Sequence, residues 1–127
     1  MLKTWEITLI LCLSAVAARP AHAADEGVCT DAARVAAERT SVPFAVLLAI
    51  SQVETGRGSG TDIQPWPWTI NDSGTGSWFA SQQEAEAQAR AIIAAGRTSF
   101  DLGCFQLNYR WHGGQFGTLA AALAGQG

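Results

Sequence analysis

The chain has 127 residues, enough for one domain, with 15% charged residues and a formal net charge of −3. An acidic balance argues against a nucleic-acid-binding module, which needs basic residues clustered on one face. No Gly-rich phosphate loop followed by Lys, no Cys-x-x-Cys pair and no Gly-x-Ser-x-Gly elbow occurs.

The first 23 residues read as a secretory signal. Lys3 precedes an apolar run from Ile7 to Ala18, and Ala21-His22-Ala23 forms an Ala-x-Ala exit. The run is shorter than the ~20 residues a membrane span needs. Cys12 does not make it a lipoprotein signal, because Leu11 is too large for that processing site. Cleavage after Ala23 leaves 104 residues with six Arg, no Lys and ten acids, a formal charge of −4. A periplasmic location follows from export. Cys29 and Cys104 are then the two remaining cysteines. In an oxidising compartment such a pair commonly bonds, and closing so long a loop contributes about 4 kcal/mol in the chain-entropy model. Two buried free thiols are the alternative.

Thr30-Asp31 is the expected start of a first helix reaching about Thr40, with Ala32, Val35, Ala36 and Arg39 at helical spacing. Pro43 opens a second helix and Gly56 is its expected left-handed stop. Glu54 ends that helix, on a stripe with Leu47, Ile50 and Ser51. A carboxyl beside apolar packing has its charged form disfavoured and can hold a proton near neutral pH. The other reading turns Glu54 into solvent, paired with Arg57.

Residues 55–80 carry five glycines and three of the four tryptophans outside the signal: Trp66, Trp68 and Trp78. Trp66, Trp68 and Ile70 alternate, Asn71–Gly76 is a turn signal, and Ser77-Trp78-Phe79 follows. The pattern predicts a short hairpin, with Pro67 confining its strand to a sheet edge. Ser81-Gln-Gln-Glu84 is a capping box opening a helix to about Ala95, stopped by Gly96. A last apolar helix is expected from Thr118 to Ala124.

The candidate chemistry is one acid, Glu54, a tryptophan-bearing stretch and the amide-bearing segment Gly103-Cys-Phe-Gln-Leu-Asn108. Aromatic faces stack on sugar rings and amides bond hydroxyl and N-acetyl groups, the composition of a small-ligand pocket. The tryptophans also have a plain alternative as core residues, since aromatics dominate core burial. His112 beside Trp111 is a lone histidine, so no metal and no cofactor are assigned.

The order Val-Pro, Leu-Leu-Ala-Ile, Val-Glu-Thr-Gly, then Pro-Trp-Pro-Trp-Thr-Ile-Asn, then Asp-Leu-Gly-Cys-Phe-Gln-Leu-Asn-Tyr and Trp-His resembles the soluble lytic transglycosylase domain. It is most similar to the small exported forms that accompany conjugation and type IV secretion systems. The likeness spans about Val42 to Phe116. It implies a mainly α, lysozyme-like fold with a short β-hairpin. It also implies cleavage between N-acetylmuramic acid and N-acetylglucosamine in peptidoglycan. Glu54 matches the family's catalytic acid/base, and Thr55 its supporting Ser or Thr. Gln106 matches the Gly-x-x-Gln glutamine at the groove, and Gly103 shapes that backbone. Trp66, Trp68 and Asn108 join them as expected substrate contacts. Asp62, Asp72 and Asp101 are the acids that could serve as a second carboxylate, with Asp101 expected to brace the Gln106 loop. The family continues into an Asn-containing helix and a groove-lining Tyr, whereas this chain ends at Gly127, so either a C-terminally truncated domain or a minimal form with a partly open core is expected. Expected partners are peptidoglycan strands and secretion or conjugation components, with the protein a monomer that binds no nucleic acid. A water-using muramidase and a non-catalytic peptidoglycan-binding scaffold are the alternative functions.

Overall fold

Alanine is the strongest helix former, and the stretch from Ala21 carries it at nearly every third position. In the computed structural model, which describes residues 21–127, helix α1 accordingly runs Ala21–Arg39. Thr30 is therefore mid-helix, and the expected cap there is replaced by continuous helix. The expected signal segment up to residue 20 lies outside the described residues. Among the described residues no helix is long and apolar enough to cross a membrane.

A short bend leads to α2, Phe44–Thr55, with Pro43 extended just before it. The helix does not end in a left-handed glycine. Gly56 has φ −55° and ψ 132°. Glycine is required there for space, because a Cβ would lie 2.4 Å from the Gln52 carbonyl oxygen and 2.5 Å from Ile63 Cγ2. Those atoms belong to α2 and to a small unexpected hairpin, β1 (Arg57–Ser59) with β2 (Asp62–Gln64).

The second sheet is larger. β3 (Thr69–Asp72), β4 (Thr75–Trp78), β5 (Phe100–Leu102) and β6 (Leu107–Asn108) pair antiparallel in the order β4-β3-β5-β6. Ser73 and Gly74 turn β3 into β4 with φ of 56° and 84°, the two positive values that a type I′ hairpin requires. Pro67 does not mark an edge. It lies two residues before β3, which is an inner strand flanked by β4 and β5.

Helix α3 (Gln82–Ala94) forms as its sequence predicts. Ser81 Oγ accepts from Glu84 N–H at 3.3 Å, and Glu84 Oε2 accepts from the Ala80 N–H at 3.0 Å. Gly96, at φ 78°, closes it. After β6 come a single turn α4 (Tyr109–His112), a 3₁₀ turn and α5 (Leu119–Ala124), capped by Thr118 and stopped by left-handed Gly125.

The domain is thus mixed α/β, about half helical, with five helices and two small antiparallel sheets among the described residues. The mainly α expectation with a single hairpin understated the strands. Strands of two or three residues are too short to show a period of two.

The core lies between the inner face of the four-stranded sheet and helices α3 and α5. Ile70, Phe100 and Leu102 meet Ala85, Ala89 and Ile92 of α3 and Leu123 of α5 there. Trp66 and Trp68 are buried in the same cluster at 4% and 3% exposure. The α1–α2 hairpin is fastened to this body by a disulfide between Cys29 and Cys104, with Cα atoms 5.2 Å apart. Such a bridge is the mark of an oxidising, extracytoplasmic compartment.

Gly103 sits at the junction of β5 and α5 with φ 76°. A Cβ there would lie 2.3 Å from the Leu123 carbonyl oxygen. Gly103→Ala combines a disfavoured backbone with a backbone clash, and is expected to cost about 3 kcal/mol or more. Urea denaturation checks this; a loss under about 0.5 kcal/mol would show that α5 can move away freely.

Candidate active site

Helix α2 is apolar on almost every side, so pattern alone does not fix which face is buried. The face that turns inward carries Ser51 and Thr55, both fully buried. Ser51 Oγ donates to the Cys104 carbonyl at 2.7 Å. Thr55 Oγ1 donates to the Ser51 carbonyl at 2.9 Å and accepts from the Trp66 backbone N–H at 3.1 Å. The Thr55 carbonyl accepts from the Trp78 indole N–H at 3.1 Å. The end of α2 is thereby tied both to the Gly103–Gln106 turn and to the tryptophan segment.

Glu54 lies on the other side. It is exposed, beside an outward apolar face of Ala45, Val46, Ala49, Ile50 and Val53. Ile50 is 42% exposed and Val53 84%. The expected core-facing stripe around Glu54 is therefore corrected: Ser51 goes inward, while Ile50 and Glu54 go outward. The expected pairing with Arg57 does not form either. The Arg57 guanidinium stacks over the Trp66 ring at 4.6 Å from its centre.

Gln106 closes the turn after β5. Its amide nitrogen donates to the Gly103 carbonyl at 3.1 Å and to the Thr69 carbonyl at 3.3 Å. Its backbone is left-handed, φ 47°. A non-glycine residue held there is strained, and such strain collects at functional sites. The amide oxygen makes no hydrogen bond among the described residues.

The outer face of the four-stranded sheet follows from register. Asn71 is opposite Gly76 on one side and Asp101 on the other, and Asp101 is opposite Asn108. Residues directly across a sheet share a face. Ile70 and Leu102 point into the core, so Asn71, Asp101 and Asn108 form a row on the outer side. Asn108 Nδ2 donates to Asp101 Oδ1 at 2.9 Å. The expected brace from Asp101 thus reaches β6 through Asn108. Asn108 Oδ1 is buried without a partner among the described residues.

The structure ties the buried end of α2, through Ser51 and Thr55, to the Gly103–Gln106 turn and the tryptophan segment. Asn108 pairs with Asp101 in the sheet, and the Glu54 side chain lies on the apolar outward face of α2. The structure does not add Trp66 and Trp68 to a groove surface, because both rings are enclosed by the core. Their expected sugar contact is replaced by a supporting role: the Trp66 indole N–H donates to the Phe79 carbonyl at 2.8 Å. Two tryptophans reach the surface among the described residues: Trp78, 47% exposed, on the sheet, and Trp111, 70% exposed, on α4. The sequence places Trp78 in the tryptophan-bearing stretch, but neither it nor Asn71 is among the expected substrate contacts. The signal was the period of two from Trp78 to Gly76, which puts the ring on the sheet's outer face. Of the other acids, Asp72 pairs with Arg97 at 2.6 Å and Asp62 lies exposed in β2. Among the described residues no group of three or more His, Cys, Asp or Glu is clustered as metal ligands.

Comparison of the chain with protein-family models, with curated proteins and with solved structures returns no match.

Thr55→Val keeps the side-chain shape and deletes the oxygen that serves Ser51 and Trp66. A buried N–H left unpaired costs about 1–3 kcal/mol, and that loss is expected in chemical denaturation. A change below about 0.5 kcal/mol would mean that the hydroxyl is not holding the segment.

Proposed function

We propose that this domain is an exported peptidoglycan lytic transglycosylase, with Glu54 as its single acid/base. One observation carries the reading. The Glu54-Thr55 motif and the Gly103-to-Gln106 motif are some fifty residues apart in sequence, and the hydrogen bond from Ser51 Oγ to the Cys104 carbonyl joins the helix that ends in the first to the turn that holds the second. Their meeting beside a polar sheet face is what a groove for a hydroxyl-rich polymer needs. The disulfide supports an oxidising compartment, and with the signal segment it supports the periplasm.

In the proposed reaction a glycan strand lies over the end of α2 and excludes water from Glu54. The carboxyl gives its proton to the glycosidic oxygen leaving the muramic acid. The sugar's own N-acetyl group stabilises the cation that develops. The carboxylate then takes the proton of the six-position hydroxyl, whose oxygen closes a 1,6-anhydro ring. One residue serves both proton transfers, so no second carboxylate is required. Gln106, fixed by two carbonyls, holds the strand through its free amide oxygen. The lysozyme-like kinship and a part in wall opening for a secretion or conjugation apparatus belong to the same proposal.

Asp101 favours one competing reading. It is a second carboxylate on the adjoining face, and hydrolytic glycosidases use two. A muramidase would give reducing ends in place of anhydro ends.

Glu54→Gln is expected to lower release of 1,6-anhydromuropeptides from purified sacculi by at least the upper end of the ~10²–10⁴-fold that acid–base catalysis contributes. Because Glu54 is exposed, its melting temperature should stay at the wild-type value. Muropeptide chromatography with thermal melting makes the test. Anhydro product at the wild-type level would remove Glu54 from the mechanism, and reducing ends alone would favour the hydrolase.

A further inference from the structure

Trp78 is a large aromatic ring left in solvent while Trp66 and Trp68 are enclosed. Its ring is nevertheless fixed at one end, by the indole N–H bonded to the Thr55 carbonyl at 3.1 Å. It runs along Gly76, where a Cβ would be 3.5 Å from its Cη2 atom. That is ordinary van der Waals contact, so the ring lies flat along the strand at Gly76. A surface ring already held in one orientation loses little freedom when a ligand stacks on it.

The groups beside the ring have a defined chemistry. Asn71 lies across from Gly76, and its amide makes no hydrogen bond among the described residues. An amide offers both a donor and an acceptor, the complement of an acetamido group. Asp101 follows in the same row, with Oδ1 taken by Asn108 and Oδ2 left to accept from a hydroxyl. No Lys or Arg occurs in this row, and its one charge is negative. That selects against a phosphate or a carboxylate-bearing ligand.

We propose that Trp78, Asn71 and Asp101 form a subsite for an N-acetylglucosamine ring, the uncharged sugar of the glycan. Trp78 stacks on the ring, Asn71 binds the acetamido group, and Asp101 accepts from a hydroxyl. The lactyl carboxylate of muramic acid is repelled by Asp101. The indole bond to the Thr55 carbonyl anchors the subsite to the end of the helix that carries Glu54. This inference rests on the glycan reading of Glu54.

The test is calorimetric titration of the full chain with chitotetraose, an oligomer of N-acetylglucosamine alone. Trp78→Ala is expected to weaken binding at least about tenfold, the loss typical of a stacked aromatic anchor. Trp78→Phe keeps a ring but loses the same indole bond to Thr55, and is expected to stay within about threefold of wild type. Equal loss in both variants would show that only the indole anchor matters and would overturn stacking. Wild-type affinity in Trp78→Ala would overturn the subsite and leave the reading of Glu54 intact. Absence of binding by the unmutated chain would overturn both. Tighter binding of a muramic-acid-containing tetrasaccharide than of chitotetraose would overturn the choice of sugar.

Discussion

The hydroxyl of Thr55 is the contact on which the rest of the structure depends. It is buried at a helix end, where backbone groups lose their helical partners. There it serves the Ser51 carbonyl and the Trp66 N–H, while the carbonyl of the same residue serves Trp78. Three elements therefore share one residue: α2, the Pro65–Ile70 segment and β4. Glu54 is the neighbour of that residue, so its backbone position is set by the same bonds, although its side chain is in solvent. The exposed acid therefore stands on a rigid base, which the proposed groove requires.

The second constraint is the junction at Gly103 and Cys104. The Gly103 N–H donates to the Thr69 carbonyl and the Cys104 N–H to the Leu123 carbonyl, both within 3.0 Å. Cys104 is also bridged to Cys29, and its carbonyl accepts from Ser51. The sheet, α5, α1 and α2 meet within two residues. Gln106 is held left-handed because this junction is over-determined on every side, which is how a strained residue persists. Asn71, Asp101 and Asn108 then face outward as a direct result of the register fixed there.

The legible parts of the fold were those with local chemistry. The Ser81–Glu84 box, the Gly96 stop and the Asn71–Gly76 turn each carry their instruction within a few residues, and each formed. The cysteine pair was legible from compartment logic. What was not legible depends on tertiary choice. An all-apolar α2 does not say which face turns inward, so Glu54 was expected on a buried stripe and lies outside it. An Ala-rich stretch has no strong start signal, so α1 began earlier than Thr30. β5 and β6 are too short to carry a pattern and exist because Gly103 lets the chain fold back. Among the tryptophans, the resemblance made Trp66 and Trp68 substrate contacts, whereas the plain alternative of core burial is the one the structure shows, and Trp78 takes the surface through sheet parity.

The central claim is that the end of α2 and the outer face of the four-stranded sheet are one binding surface, joined at Thr55. The most direct measurement is chemical-shift mapping of the isotope-labelled protein titrated with soluble peptidoglycan glycan fragments. The account predicts that the largest shifts fall on Glu54, Thr55, the Trp78 indole N–H and the side-chain amides of Asn71 and Gln106. Shifts centred instead on the separate cleft of Glu26, Arg57, Asp62 and Gln64, with the Trp78 indole signal unmoved, would contradict it.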